Sequence, residues 1–158
     1  PLVGEFDIHG ASLFVIGSDF ASDGGDSPRY GRYQPPREPA SARRVQQAEK
    51  IHSFAKRLGE VSTTARVVTM AAMHDSDGSE SSTALTKDNV LRPASENLDA
   101  TARYSQLEDG AGTLTDQAFT SPNIRGIGYA IVHTSAEFDD NGGLYHDPQL
   151  LRIRATLS

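Results

Sequence analysis

The stretch Phe14-Val-Ile-Gly-Ser-Asp-Phe20, followed by Ser22-Asp-Gly-Gly-Asp26 and Gly31-Arg-Tyr-Gln-Pro-Pro36, decides how this chain is read. Leu13–Ile16 is a continuous apolar run, the mark of a buried strand. Before it, Leu2, Gly4, Phe6 and Ile8 alternate with Val3, Glu5 and Asp7, and His9-Gly10 supplies a turn, so the two segments read as a hairpin. Ser18–Pro39 is rich in Gly, Pro, Asp and Ser and reads as a loop. Loops of that length in a compact domain are functional or disordered. Ala40–Leu58 reads as a helix, because Val45, Ala48, Ile51, Phe54, Ala55 and Leu58 form one apolar stripe. Pro39 and Ser41 suit its start and Gly59 its end.

Further along, Ala65–Ala72 predicts a strand entering the core and His74–Ser82 a polar loop. Ser82–Val90 predicts a short helix. Tyr104–Leu107, Thr113–Thr120, Gly128–Ser135 and Leu150–Ala155 predict strands, with a turn at Asp139–Gly143. Strands alternating with one packed helix indicate an α/β or α+β fold, and 158 residues without an internal repeat indicate a single domain over 1–158.

Composition narrows the function classes. The formal net charge is −6, which disfavours broad binding to nucleic-acid backbones. The basic residues Arg37, Arg43, Arg44, Lys50, Lys56 and Arg57 are interleaved with Glu38, Glu49 and Glu60 and read as a solvated helix face. There are no cysteines, which excludes disulfides, thiol catalysis and thiolate zinc ligands. No apolar run reaches the length of a membrane span and no signal peptide is seen, so no membrane partner is expected; the compartment is not fixed.

With Gln46-Gln47-Ala48 on the helix and His146-Asp147-Pro148 near the end, these segments resemble the C-terminal half of the endonuclease/exonuclease/phosphatase superfamily. These are deoxyribonuclease-like, metal-dependent phosphodiesterases, and the resemblance is to the secreted bacterial nuclease branch. It covers nearly the whole chain. It implies half of a four-layer sandwich, a mixed sheet with one long covering helix, and an extracellular location. It also implies a truncated or short form, since such domains carry another half before the point that Pro1 matches. A half-sandwich exposes an apolar sheet face, so the expected partner is a complementary N-terminal half or a second copy of the chain.

The same resemblance marks four catalytic stations. Asn-His-Phe of the family is Ser18-Asp19-Phe20 here, placing Asp19 where a phosphate-contacting His is expected, and Ser-Lys-Gly-Gly is Ser22-Asp23-Gly24-Gly25. Gly-Asp-Leu-Asn-Asp is Ala71-Ala72-Met73-His74-Asp75, so Ala72 replaces the Asp that positions the nucleophile and His74 replaces the phosphate-holding Asn. Leu-Asp-His-Ile is Thr115-Asp116-Gln117-Ala118, which keeps Asp116. Ser-Asp-His-Asp-Pro is Leu144-Tyr145-His146-Asp147-Pro148, which keeps the catalytic His as His146 and puts Tyr145 where its metal-binding Asp partner is expected. His146 and Asp116 are therefore the vestigial catalytic candidates. Asp19, His74 and Asp75 are the metal candidates, for Mg, Ca or Mn. A set of His74, His146 and Asp116 or Asp19 would instead suit a transition metal.

Other constellations carry less. His74–Glu80 offers oxygen ligands but lacks the spacing of a calcium loop, and Glu137, Asp139 and Asp140 read as an acidic turn. His9, His52 and His133 read as surface or core residues, and no Ser/His/Asp triad can be assembled. The expectation is a non-catalytic, nuclease-like domain with a binding or assembly role. The alternative is a metal-dependent phosphodiesterase or phosphatase with an altered site that needs a separate N-terminal half.

Overall fold

A computed structural model describes residues 1–22, 24, 26–27, 31–35, 37–108, 110–134 and 146–154. Asp23, Gly25, Tyr145, the acidic turn of Glu137, Asp139 and Asp140, and Gly142-Gly143 lie outside the described residues. Strands β1 (Leu2–Ile8) and β2 (Ala11–Asp19) form the predicted antiparallel hairpin. Its two-residue turn needs left-handed backbone at both positions, and His9 and Gly10 supply φ of 53° and 81°. The Asp7 carboxylate accepts the Gly10 amide at 2.8 Å and closes it.

Helix α1 (Pro39–Val61) then crosses back, and β3 (Arg66–Ala72) runs parallel to β2. Pro39 lies in the first turn, as expected, but Gly59 does not end the helix. A glycine stops a helix where the chain turns left-handed, and Gly59 keeps a backbone that needs no such freedom; the chain leaves at Ser62. The predicted helix at 82–90 is α2 (Glu80–Thr86) plus a separate 3-10 turn, Lys87–Asn89, because Asp88 takes a φ of 56° that breaks the run.

Strand β4 (Arg92–Pro93) is followed by a small hairpin of β5 (Gln106–Glu108) and β6 (Ala111–Thr113), then by β7 (Asp116–Thr120). The strand expected over Thr113–Thr120 is thus broken. Leu114 drops into the core and the Thr115 carbonyl accepts the Met73 amide at 2.7 Å, which turns the chain between β6 and β7. Finally β8 (Arg125–Ile131) pairs antiparallel with β9 (Gln149–Arg154). β8 ends before His133 and Thr134, which leave the strand to bond Asp147.

The main sheet is mixed, in the order β1-β2-β3-β7-β4, with α1 over one face. Phe14 and Ile16 of β2, Val67 and Ala71 of β3 and Phe119 of β7 meet Ala48, Ile51 and Ala55 of α1 and Leu85 of α2. Register partners share a face. The other face therefore carries Leu2, Phe6, Leu13, Val15, Val68 and Met70. Leu2, Phe6 and Met70 on that face are 81%, 52% and 49% exposed. This α/β fold, with one long helix covering a mixed sheet, is the fold class expected from the sequence.

Candidate functional site

Because β2 and β3 run parallel and β7 antiparallel, the end of β2, the end of β3 and the start of β7 meet at one edge of the sheet. The register aligns Asp19 with Ala72 and Ala72 with Asp116. These three residues form a row across three strands, on the face away from α1, with the methyl of Ala72 between two carboxylates. Each aspartate has its own histidine. Asp19 Oδ1 lies 2.9 Å from His74 Nε2, and His74 reaches it from a left-handed backbone of φ 49°. Asp116 Oδ2 lies 2.5 Å from His146 Nδ1. A carboxylate accepts, so in this contact His146 Nδ1–H is the donor and Nε2 is left facing away from Asp116.

His146 and Asp116, the two catalytic candidates, are thus brought together. The partner expected at position 145 is Tyr145, outside the described residues, and Asp116 supplies the carboxylate instead. Asp116 is itself held. Ser105 Oγ donates to Oδ2 at 3.0 Å and the Asp116 carbonyl accepts Gln149 Nε2 at 2.6 Å. Tyr129 donates to Gln149 Oε1 at 2.6 Å. Burial, helped by the charge of Asp116, pushes the Tyr129 phenol well above its ordinary value.

Asp75 lies apart from the row. Its carboxylate accepts Ser81 Oγ at 2.9 Å and pairs with Arg44 Nε at 3.5 Å. Arg44 is a correction to the solvated helix face: it is 6% exposed and also reaches Asp26 at 3.4 Å and the Ala21 carbonyl at 3.3 Å. With Asp26 capping the Ala40 amide at 2.8 Å and Gln47 accepting the Ala21 amide at 2.9 Å, it ties the loop after β2 to α1. Gln117, where the resemblance puts the His of the third station, points into the core and donates to the Leu114 carbonyl at 3.2 Å. His133 Nδ1 lies 3.3 Å from the buried Asp147 and stacks on Tyr104 at 3.9 Å.

The expected cation set does not form. Among the described residues no three of His, Asp or Glu are grouped to hold a metal ion. Asp19 and His74 meet each other, Asp75 faces Arg44 and Ser81, and His74 and His146 serve separate aspartates. A groove of about 440 Å³ runs beside the row, lined among others by Gly17, Met70, Ala72, Asp116, His146 and Gln149. Sequence reasoning missed Arg44, Ser105 and the His133–Asp147 pair.

The solved structures that share this arrangement of elements fix the fold. Truncated TDP2 of Caenorhabditis elegans superposes with a TM-score of 0.59 at 14% identity, over 82% of this chain and 48% of its own. Beta toxin of Staphylococcus aureus gives 0.60 at 16% identity, over 96% and 56%. An endonuclease/exonuclease/phosphatase family protein from Bacteroides thetaiotaomicron gives 0.50 at 16% identity, over 78% and 41%. The fold of this chain matches part of the endonuclease/exonuclease/phosphatase fold. It spans about half the length of the structures that it matches. No protein-family model and no curated protein matches it by sequence. No described helix is long and apolar enough to cross a membrane.

Proposed function

We propose that this chain is a nuclease-like domain with a binding or assembly role that does not hydrolyse phosphodiesters on its own. The observation that carries the reading is Ala72, set in register between Asp19 and Asp116. Hydrolysis of this kind needs carboxylates to hold a cation and a base to activate water. At the centre of the row stands a methyl group, and Asp75, apart from the row, is engaged by Arg44 and Ser81. The remaining carboxylates repel a phosphate, and the net charge of −6 disfavours nucleic acid as a partner.

The assembly role rests on the exposed part of the sheet face away from α1, since Val68 on the same face is already buried. We read the chain as the counterpart of the C-terminal half of the matched folds, outside the cell as in the secreted branch it resembles. Leu2, Phe6 and Met70 would then be covered by a second sheet, from a complementary N-terminal half or a second copy. Full burial of an exposed side chain of this kind contributes about 1.5–3 kcal/mol, so Leu2 gains most of that and the half-exposed Phe6 and Met70 about half. Sedimentation at micromolar concentration tests this. The chain alone should sediment as a dimer or larger, and Phe6→Asp with Met70→Lys should return it to monomer. A wild-type monomer that stays one on addition of any separately expressed N-terminal half would overturn the assembly role.

One observation favours a second reading, a phosphoric ester hydrolase with an altered site completed by another half. A carboxylate-oriented imidazole is the acid–base element of such chemistry, and His146 with Asp116 has that form. In this reading Asp116 holds Nδ1–H and Nε2 exchanges the proton.

A further inference from the structure

We propose that Ser105 is the positioning residue of the His146–Asp116 dyad; the proposal rests on reading that dyad as a functional pair. Ser105 lies just before β5 and is fully buried. Its hydroxyl oxygen is 3.0 Å from the Thr115 amide, 3.0 Å from the Asp116 amide and 3.0 Å from Asp116 Oδ2. A hydroxyl has one proton and two lone pairs. The amides can only donate and the carboxylate can only accept. The proton is left for Oδ2 at 3.0 Å or for the Thr115 hydroxyl at 3.3 Å, and of these the carboxylate is the nearer and can only accept.

Ser105 Oγ–H and His146 Nδ1–H both reach Asp116 Oδ2, with the Thr115 hydroxyl beside them at 3.5 Å. Fixing that oxygen fixes the ring that bonds to it. The Ser105 backbone acts on the other member of the pair. Its carbonyl accepts the amide of Asp147, the residue after His146, at 2.7 Å. Asp147 is held in turn by His133 and Thr134. One buried residue thus sets the carboxylate through its side chain and the imidazole-bearing segment through its main chain. A serine that only filled space would not need the side-chain contact.

The test reads the ring itself by nuclear magnetic resonance of histidine-labelled protein. In the wild type, the His146 Nδ1 proton should be downfield, slow to exchange, and close enough to the Ser105 β-protons to give a cross-peak. Ser105→Cys, the closest replacement in shape that is only a weak donor, should speed exchange about tenfold, the scale of losing one hydrogen bond to a charged group. Ser105→Thr should retain the wild-type signal. Asp116→Asn is the control for the dyad: if it leaves the His146 signal unchanged, the pair itself is wrong. If Asp116→Asn removes the signal while Ser105→Cys leaves it intact, or if the wild type shows no Ser105 cross-peak, the role of Ser105 is overturned.

Discussion

His146 Nδ1 and Asp116 Oδ2 stand 2.5 Å apart although thirty positions separate them in the chain. The contact exists because β7 begins at the sheet edge to which the segment before β9 returns. It leaves the imidazole paired while the middle strand of the site, β3, ends in Ala72. An oriented acid–base group thus persists beside a missing carboxylate.

Restoring that carboxylate is the first test. Ala72→Asp sets three aspartates side by side, and like charges directly across strands destabilise by up to about 1 kcal/mol per pair. The variant should melt below the wild type without divalent ions. Mg or Mn should raise its melting temperature and leave that of the wild type unmoved. Equal responses of the two proteins would show that the row Asp19–Ala72–Asp116 is not aligned as described.

Arg44 should matter far more than its neighbours on α1. Arg44→Met strands two carboxylates, Asp26 and Asp75, that it pairs with. Breaking a buried pair costs about 3–5 kcal/mol, and both partners keep some contact with water, so about 2–3 kcal/mol is expected. Arg43→Met, on an exposed position, should cost less than about 0.5 kcal/mol. Denaturant titration of the two variants compares them, and equal losses would contradict the clasp.

Tyr129 gives a pH signature at the alkaline end. Its phenol is raised above the ordinary value of 10.0, so the folded chain holds a proton that the unfolded chain releases. Stability from this group is complete below about pH 10 and falls as pH rises past it. Tyr129→Phe should flatten the decline. A slope unchanged by the substitution would mean that the phenol is not buried against Gln149 and Asp116.

Short-range patterns were legible in the sequence and long-range pairings were not. The alternation of Leu2–Ile8, the apolar run at Leu13–Ile16 and the stripe from Val45 to Leu58 locate the hairpin and α1, since each depends only on local period. Leu114 hid the break between β6 and β7, because an apolar residue that turns into the core looks like one continuing a strand. Arg44 sits in a charged helix whose pattern is the same whether one arginine faces water or two aspartates. Ser105 lies in a stretch read as strand, and its worth depends on Asp116 and Asp147, neither of which is near it in sequence. Tyr145 drew attention as the adjacent residue, whereas the partner of His146 is set by the register of β3 and β7.

Hydrolysis by the purified chain is the most direct measurement. Supplied with Mg, Mn or Ca, it should cleave DNA and a phosphodiester reporter no faster than a His146→Ala control. Groups of a catalytic set act as a unit, and loss of one commonly costs several orders of magnitude. Metal-dependent turnover by the wild type that vanishes in His146→Ala would contradict a non-catalytic role.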